Sequence, residues 1–221
     1  MKLRIFLSCF VGVAALCAYV MAASAGGFDY AGAVAERAAY QPVSANADTV
    51  SQGAEKFITD LVDEGVGFLG DATISADKQK AAFRKLLNNN FDMDMIARFS
   101  LGRHWRSASQ AQRDEYMKLF KVMIVDVYSA RFSDYEGQEI EVTGSRKEGE
   151  RDILVHSLLS QKSGPDVQVD WRVRQSSGRY KVIDVIVEGV SMAVTQRSDF
   201  SSVVQRGGGN MEALLAHLRT N

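Results

Sequence analysis

Cysteine and proline are both scarce in this chain. Its two cysteines, Cys9 and Cys17, lie near the N-terminus, and its two prolines, Pro42 and Pro165, fall outside the interiors of the helices and strands predicted below. A disulfide framework is therefore excluded for the rest of the chain, and packing alone has to hold the fold together. Apolar residues make up 46% of the sequence, which is enough for a sizeable core.

The first 25 residues carry no acidic residue and have the features of a secretory signal peptide. Lys2 and Arg4 precede an uncharged apolar run from Ile5 to Val20, and small residues before the expected cleavage site end at Ala25. The apolar run is shorter than the ~20 residues of a stable membrane-spanning helix. We therefore expect cleavage after Ala25 and export of a soluble protein; a retained N-terminal anchor is the alternative.

A clustered basic excess is also missing. The chain carries 26 lysines and arginines against 27 acidic residues, a formal net charge of −1. Loss of residues 1–25 would remove two basic residues and no acidic one. This balance argues against nucleic acid as a partner, because nucleic-acid-binding domains concentrate positive charge on one surface.

Motifs for enzymatic or metal chemistry do not occur either. His104, His156 and His217 fall on three different predicted elements, and there is no His-x-x-x-His, Gly-x-Ser-x-Gly or phosphate-binding glycine loop. The sequence thus predicts no metal, no cofactor and no catalytic group. Asp184, in the apolar segment 182–186, is the carboxylate that could act as a general base. A structural role in a buried ion pair is the simpler interpretation.

Helical periodicity predicts six helices, with Asp48, Asp92 and Ser109 as expected N-caps. Residues 26–48 are interpreted as a flexible lead-in, and residues 49–221 as a single domain. The predicted helices run from Thr49 to Gly65 or Gly67, from Ser75 to Asn90, from Asp92 to Gly102, from Ser109 to Phe132, from Val194 to Gln205 and from Met211 to Leu218.

Between the fourth and fifth of these helices the period changes to alternation, which is typical of strands. Four strands joined by short turns predict an antiparallel meander, with helices packed on one face of a curved sheet, and hence an α+β fold. The strands are centred on residues 139–143, 153–159, 167–174 and 180–187. Large apolar side chains on the fourth helix and on the last two strands could fill a solid core or line a cavity, and periodicity does not distinguish these.

Two sequence blocks resemble signatures of the MlaC/toluene-tolerance family. The first is Phe91–Gly102 (FDMDMIARFSLG), followed by Trp105; the second is Tyr180–Met192 (YKVIDVIVEGVSM), followed by the motif RSDF at residues 197–200. Both blocks occur in the order of the family, and the resemblance extends over residues 50–220. Tyr180 stands where the family has tryptophan, which is a mild departure.

The resemblance implies an NTF2-like fold whose helices and four-stranded antiparallel sheet enclose an apolar pocket for acyl chains. It also implies a periplasmic phospholipid carrier, not an enzyme. The implied partners are an inner-membrane ABC transporter complex with a lipid-binding ring and an outer-membrane lipoprotein complex. Burial of acyl chains makes physical sense, because each CH₂ moved out of water contributes about 0.8 kcal/mol. A related branch of the family is associated with hopanoid metabolism, so a hopanoid is the alternative cargo.

We predict the lining of this pocket from the size of the apolar side chains and from the direction in which each is expected to face. The predicted lining residues are Phe91, Met95, Phe99, Phe120, Met123, Tyr128, Phe132, Val169, Trp171, Val185, Val187 and Met192. Arg98, Arg103 and Arg197 are predicted to receive a lipid head group or to dock a partner, and Arg197 also to pair with Asp184.

Two other functions stay open from the sequence. An enzyme of the same fold could use Asp184 with a tyrosine or with His156 in the pocket, since one fold hosts many functions. An adaptor could bind a helix of a partner protein in an apolar groove. The adaptor would contain no lipid after purification.

Overall fold

The computed structural model describes residues 45–162 and 164–220. The predicted signal peptide, and the predicted lead-in as far as residue 44, lie outside these described residues. Contacts within the chain divide it into the units Met1–Thr49 and Val50–Asn221. Of the first unit, only the opening residues of the first helix are described.

The described residues form an α+β fold, which confirms the predicted class. They contain seven α-helices and a five-stranded antiparallel sheet whose strand order follows the chain. The helices are α1 (Ala45–Leu69), α2 (Ala76–Asn90), α3 (Met93–Leu101), α4 (His104–Ser107), α5 (Gln110–Ser129), α6 (Met192–Arg206) and α7 (Met211–Arg219). The strands are β1 (Glu139–Glu148), β2 (Asp152–Ser160), β3 (Val167–Ser176), β4 (Arg179–Val187) and β5 (Val190–Ser191).

The predicted bounds of the first helix are wrong at both ends. Helix α1 already begins at Ala45, so Asp48 lies inside it and is not its N-cap. Alanines at positions 45 and 47 have a high helix propensity, which favours helix over irregular structure in this stretch. Neither Gly65 nor Gly67 ends the helix; it continues to Leu69, and the half-buried Phe68 in its last turn packs against buried residues of the core.

Two of the predicted N-caps are confirmed. The carboxylate of Asp92 accepts a hydrogen bond from the backbone N–H of Met95 at 3.0 Å. At the start of α5, Ser109 and Gln112 form a capping box, in which each side chain accepts from the backbone N–H of the other residue. Helix α5 ends at Ser129, so Phe132 lies beyond it, in a short 3₁₀ helix. The short helix α4 was not predicted.

The sheet has one strand more than predicted. After β4, Glu188 and Gly189 both adopt positive φ values, of 49° and 77°. Two successive positive φ values are typical of the type I′ turn, which joins adjacent antiparallel strands. The turn brings Val190 and Ser191 back against β4 as the two-residue strand β5. A strand this short has no recognisable alternation in the sequence.

Two hydrophobic clusters form the core. The helix cluster joins α2, α3, α5, α6 and α7 and includes the fully buried rings of Tyr116 and Phe120. The sheet cluster lies between α1, α2 and the sheet and includes Ile58 and Val155. Phe91 packs against both clusters, and its backbone forms an isolated bridge to Val182 of β4. It therefore connects the two halves of the core.

Two glycines of α1 provide a matched test of how closely this helix approaches the sheet. A Cβ atom on Gly53 would overlap the hydroxyl and ring of Tyr180, whose hydroxyl donates to the carbonyl of Val50 at 3.0 Å, whereas a Cβ on Gly67 would meet nothing within 4 Å. Alanine is a better helix former than glycine by up to ~1 kcal/mol. We expect Gly67→Ala to raise the free energy of unfolding and Gly53→Ala to lower it, as measured by urea denaturation. A gain of stability in both variants would contradict this packing.

Candidate functional site

One face of the sheet brings together four of the predicted lining residues. In the register of β3 and β4, Val169 lies opposite Val187, and Trp171 lies opposite Val185. Alternate residues of a strand share a face, so these four side chains lie side by side. Val169 and Val187 are buried, while Trp171 and Val185 are half-buried. The sheet thus presents an apolar surface that is partly accessible around Trp171.

The polar edge of Trp171 is satisfied within the sheet. Its indole N–H donates to the hydroxyl of Ser157 at 3.0 Å, and this hydroxyl donates in turn to the carbonyl of Val169 at 2.6 Å. An indole N–H that is turned into the sheet needs such a partner, because an unpaired N–H in an apolar environment is costly. The indole is therefore held in one orientation, and the rest of its surface is available for apolar contact.

Helix α1 covers this face of the sheet. Ala54, Ile58 and Leu61 are buried in the sheet cluster, whereas the bulkier Phe57 and Phe68 of the same helix stay half-buried. Polar contacts also tie α1 to the sheet: the hydroxyl of Ser145 on β1 donates to the carboxylate of Glu55 at 2.6 Å. The seam between α1 and the sheet therefore combines a buried centre with large, half-buried apolar side chains along it.

A group of four aromatic rings joins the two clusters. The ring of Phe132 lies 6.0 Å from that of Phe68 and 5.3 Å from that of Phe83, between centroids, and Phe83 lies 6.5 Å from Tyr128. Tyr128 and Phe132 were predicted lining residues. Phe68 and Phe83 were not, although Phe83 belongs to the apolar stripe of the second predicted helix. Phe68 lies beyond Gly65 and Gly67, the predicted ends of the first helix.

The other predicted lining residues are spread over the fold. Phe120 and Met123 belong to the helix cluster. The thioether of Met95 lies 3.4 Å from the guanidinium of Arg174, and Met192 is the half-buried first residue of α6. Phe99 lies on the surface, with 42% of its area exposed. That these residues line one common pocket stays a prediction.

Two surface clefts of the described residues are lined mainly by polar and charged side chains. One, of about 470 Å³, is lined by charged residues of the β1–β2 turn and of β3, including Arg172 and Asp152. The other, of about 590 Å³, lies between α3, α4 and α5 and is lined by Arg98, Trp105 and Lys121 among others. None of the predicted apolar lining residues borders either cleft.

The predicted pair of Asp184 and Arg197 is wrong. The carboxylate of Asp184 accepts from the hydroxyl of Ser191 at 2.5 Å and from the backbone N–H of Ala193 at 3.1 Å. It therefore binds the first turn of α6, where unpaired backbone N–H groups favour a negative charge. The guanidinium of Arg197 instead lies 5.5 Å above the ring of Phe99. Asp184 is satisfied without a basic partner.

The groups of the enzyme hypothesis lie on the other face of the sheet. The register places His156 opposite Asp170, and their side chains are 2.9 Å apart. His156 and Asp170 are each next in sequence to residues of the apolar face, so their side chains point to the opposite face. The same holds for Asp184, which is next to Val185. An acid–base pair built from Asp184 and His156 would therefore not face the apolar surface around Trp171.

The three predicted head-group or docking arginines lie close together, around the link between α3 and α4. Arg98 lies 5.2 Å above the ring of Trp105, and Arg103 is the exposed N-cap residue of α4. Arg197 reaches over Gly102, where a Cβ atom would lie 2.7 Å from its Nε; the φ of 59° at Gly102 also favours glycine. Within the described part of the chain, none of the three forms a salt bridge with a carboxylate.

Residues 45–162 and 164–220 contain no group of three or more histidine, cysteine or acidic side chains that could hold a metal ion. Nor is any helix within these residues both long and apolar enough to cross a membrane.

Asp199 on α6 is a carboxylate whose pKa is raised by burial, with a smaller opposing effect of Arg206, and its Oδ2 has no hydrogen-bond partner. A raised pKa means that the charged form is less stable in the fold than in the unfolded chain. We expect Asp199→Asn to raise the free energy of unfolding at pH 7, because it removes a charge that burial disfavours. This gain should disappear as the pH falls below 3.8, where the carboxyl is neutral in both states. Urea denaturation at both pH values measures it.

The exposed loop residue Asp166 provides the control for this prediction, because Asp166→Asn removes the same charge. It should change stability little at either pH. A gain from Asp199→Asn that is the same at both pH values would contradict the role of the charge.

The chain matches known proteins over most of the described fold. A family model described as MlaC protein matches residues 69–220. The intermembrane phospholipid transport system binding protein MlaC of Haemophilus influenzae is 25% identical over 112 residues, which are 49% of this chain and 52% of that protein. The chain thus spans about half the length of this relative. Toluene tolerance protein ttg2D of Pseudomonas putida is 22% identical over 152 residues, which are 65% of this chain and 71% of that protein.

A solved structure shows the same fold. It is the structure of the phospholipid-binding protein from Ralstonia solanacearum in complex with a phospholipid. The two chains superpose with a TM-score of 0.65 and are 21% identical in sequence. The match covers 76% of this chain and 95% of that one. Together with the family match over residues 69–220, which confirms the resemblance of the two sequence blocks, this establishes that the chain belongs to the MlaC family.

Proposed function

We propose that this chain is a periplasmic carrier that binds a phospholipid by its acyl chains and transfers it between membrane complexes. The observation that carries the proposal is the apolar face of the sheet beneath α1. It combines a satisfied, half-buried indole at Trp171 with half-buried phenyl rings along the covering helix. The family membership and the shared fold of a phospholipid-bound relative support it.

The acyl chains are assigned to the seam between α1 and the sheet. There they would contact Trp171 and Val185 and extend towards the rings of Phe68 and Phe132. Each CH₂ buried in this way contributes about 0.8 kcal/mol, so two acyl chains supply ample driving force. The helix cluster around Phe120 then acts as the scaffold that holds the sheet and α2 in place. In this proposal the helices and sheet take the NTF2-like outline, with the pocket at the seam.

Such a carrier needs neither a catalytic group nor a cofactor. Its affinity for lipid has to be high enough to hold the acyl chains in water and low enough to release them to an acceptor. A carrier alone only equilibrates lipid between donors and acceptors, so the direction of transfer has to come from its partners. We propose an inner-membrane ABC transporter complex and an outer-membrane lipoprotein complex in these roles.

Native mass spectrometry of the purified protein, with extraction and identification of bound lipid, tests this function. About one phospholipid per chain is the expected result. A bound hopanoid would keep the carrier function and replace the cargo. A folded protein that contains no lipid and takes up none from added phospholipid would overturn the proposal, and a groove for a partner helix would then be the better interpretation.

A further inference from the structure

The link between α3 and α5 has an unusual local charge. Residues 95–113 contain Arg98, Arg103, Arg106 and Arg113 and no acidic residue, in a chain whose formal net charge is −1. His104 in the same segment has its pKa lowered, first by burial and then by Arg103. The positive charge of the segment therefore comes from its arginines.

The acidic residues on either side of this segment are engaged elsewhere. Asp94 forms a salt bridge with Lys121 at 2.7 Å, and Glu115 forms one with Arg219, also at 2.7 Å. Asp92 caps α3. The carboxylate of Asp114 accepts from the side-chain amide of Gln110 at 2.7 Å. Asp94 and Asp114 line the same cleft as Arg98, but within the described residues no salt bridge joins any of these carboxylates to an arginine of the segment. The guanidinium groups are therefore available to the phosphate groups of an external partner.

Exposed apolar side chains lie among these arginines. Phe99 has 42% of its area exposed and carries the guanidinium of Arg197 above its ring. Val194, 53% exposed, lies one turn before Arg197 on α6. We call this surface the α3–α4 corner. Its residues are Arg98, Phe99, Arg103, Trp105, Val194 and Arg197.

We propose that the α3–α4 corner docks on the surface of an anionic phospholipid bilayer. Guanidinium groups bind phosphate through paired hydrogen bonds, and basic side chains beside exposed phenyl and aliphatic groups are typical of surfaces that lie in the lipid interface. An acidic protein surface would satisfy the arginines but not Phe99 and Val194. The bilayer is therefore the occupant that matches both the charge and the apolar groups.

The stacking of two of these arginines favours binding. Arg98 lies over Trp105, and Arg197 lies over Phe99 and against Gly102. A guanidinium already held against an aromatic ring loses less side-chain freedom when it meets a phosphate. For its biological purpose the inference rests on the proposed carrier function, since a carrier that docks on a bilayer is placed where lipid is loaded or released.

Flotation with lipid vesicles tests this docking. The probe is a pair of vesicles, one of phosphatidylcholine alone and one of phosphatidylcholine with phosphatidylglycerol, at low salt. We expect binding to the anionic vesicles only, and weaker binding as salt rises. The triple variant Arg98→Gln/Arg103→Gln/Arg197→Gln should bind ~100-fold more weakly, because each arginine near an anionic surface contributes about a fivefold gain in affinity.

A matched control is available on α2. Lys78→Gln/Arg84→Gln/Lys85→Gln removes the same charge from exposed positions of that helix and should bind anionic vesicles as the unchanged protein does. Phe99→Ser tests the apolar part and should weaken binding with all arginines retained. Equal loss in the α2 and corner triple variants would overturn the proposal. No binding of the unchanged protein to anionic vesicles would overturn it too, and an acidic protein partner would then be the better occupant.

The lipid content of the same preparations separates this inference from the proposed function. If only the docking proposal is wrong, the protein contains lipid but does not float with the anionic vesicles. If the carrier function is wrong, the purified protein contains no lipid, whether or not it floats with the vesicles. The variant Trp171→Arg, described below, should lose its lipid and still dock on anionic vesicles, because Trp171 lies in the sheet and not in the α3–α4 corner.

Discussion

Replacement of Phe120 by alanine is expected to lower the free energy of unfolding by about 3–5 kcal/mol. The ring is fully buried at the centre of the helix cluster, with centroids 5.8 Å from Tyr116 and 6.3 Å from Phe200. Its removal leaves a cavity that helices α3, α6 and α7 cannot close without losing their own contacts. Urea denaturation followed by far-UV circular dichroism measures the loss.

Val122 provides the control on the same helix. Its side chain is 53% exposed, so Val122→Ala should change stability by less than ~0.5 kcal/mol. A small loss for Phe120→Ala, comparable with that of the control, would show that the helix cluster is loosely packed. In that case Phe120 would be better explained as part of an open lipid pocket.

Replacement of Trp171 by arginine is expected to abolish lipid retention. The new guanidinium would lie between Val185 and the half-buried rings of α1, and the hydroxyl of Ser157 would lose its indole partner. A charge without a partner in an apolar site is strongly unfavourable, so bound lipid should fall by at least ~tenfold. Native mass spectrometry measures the lipid, and circular dichroism shows whether the fold is kept.

Ser176→Arg is the matched control, because it adds the same charge to an exposed position on the opposite face of β3. It should retain lipid. If Trp171→Arg does not fold, the variants Trp171→Phe and Trp171→Ala test the same site. We expect the alanine variant to retain less lipid than the phenylalanine variant. A folded Trp171→Arg protein with its full lipid content would show that the seam beneath α1 is not the binding site.

Much of the fold follows from local pattern. The alternation of apolar and polar residues located the four long strands. The capping groups Asp92 and Ser109 located the starts of α3 and α5 to within a residue. These features depend on neighbours within a few positions, where backbone geometry and sequence are directly linked. The errors fall where such local signals are weak: α1, which runs past its two glycines, and β5, which has only two residues.

Only part of the candidate site could be predicted from local sequence pattern. The pairs Val169–Val187 and Trp171–Val185 were identified because strand alternation predicts which residues share a face. Phe68 was missed, because its place beside Phe132 depends on contacts between elements far apart in the chain. The partner of Asp184 was predicted wrongly for a similar reason. A carboxylate can be satisfied by a basic side chain or by a helix N-terminus, and the choice depends on how α6 meets β4.

By itself, the sequence determined the α+β class, the order of the main elements and membership of the MlaC family. These depend on residue spacing and on motifs that stay together along the chain. Only the tertiary structure decided which large apolar side chains form the helix cluster and which lie half-buried beneath α1. It also decided that the arginines of α3, α4 and α6, which form no salt bridge within the described residues, meet at one corner. The reason is physical: burial and net local charge depend on which surfaces come into contact, and a linear pattern does not contain that information.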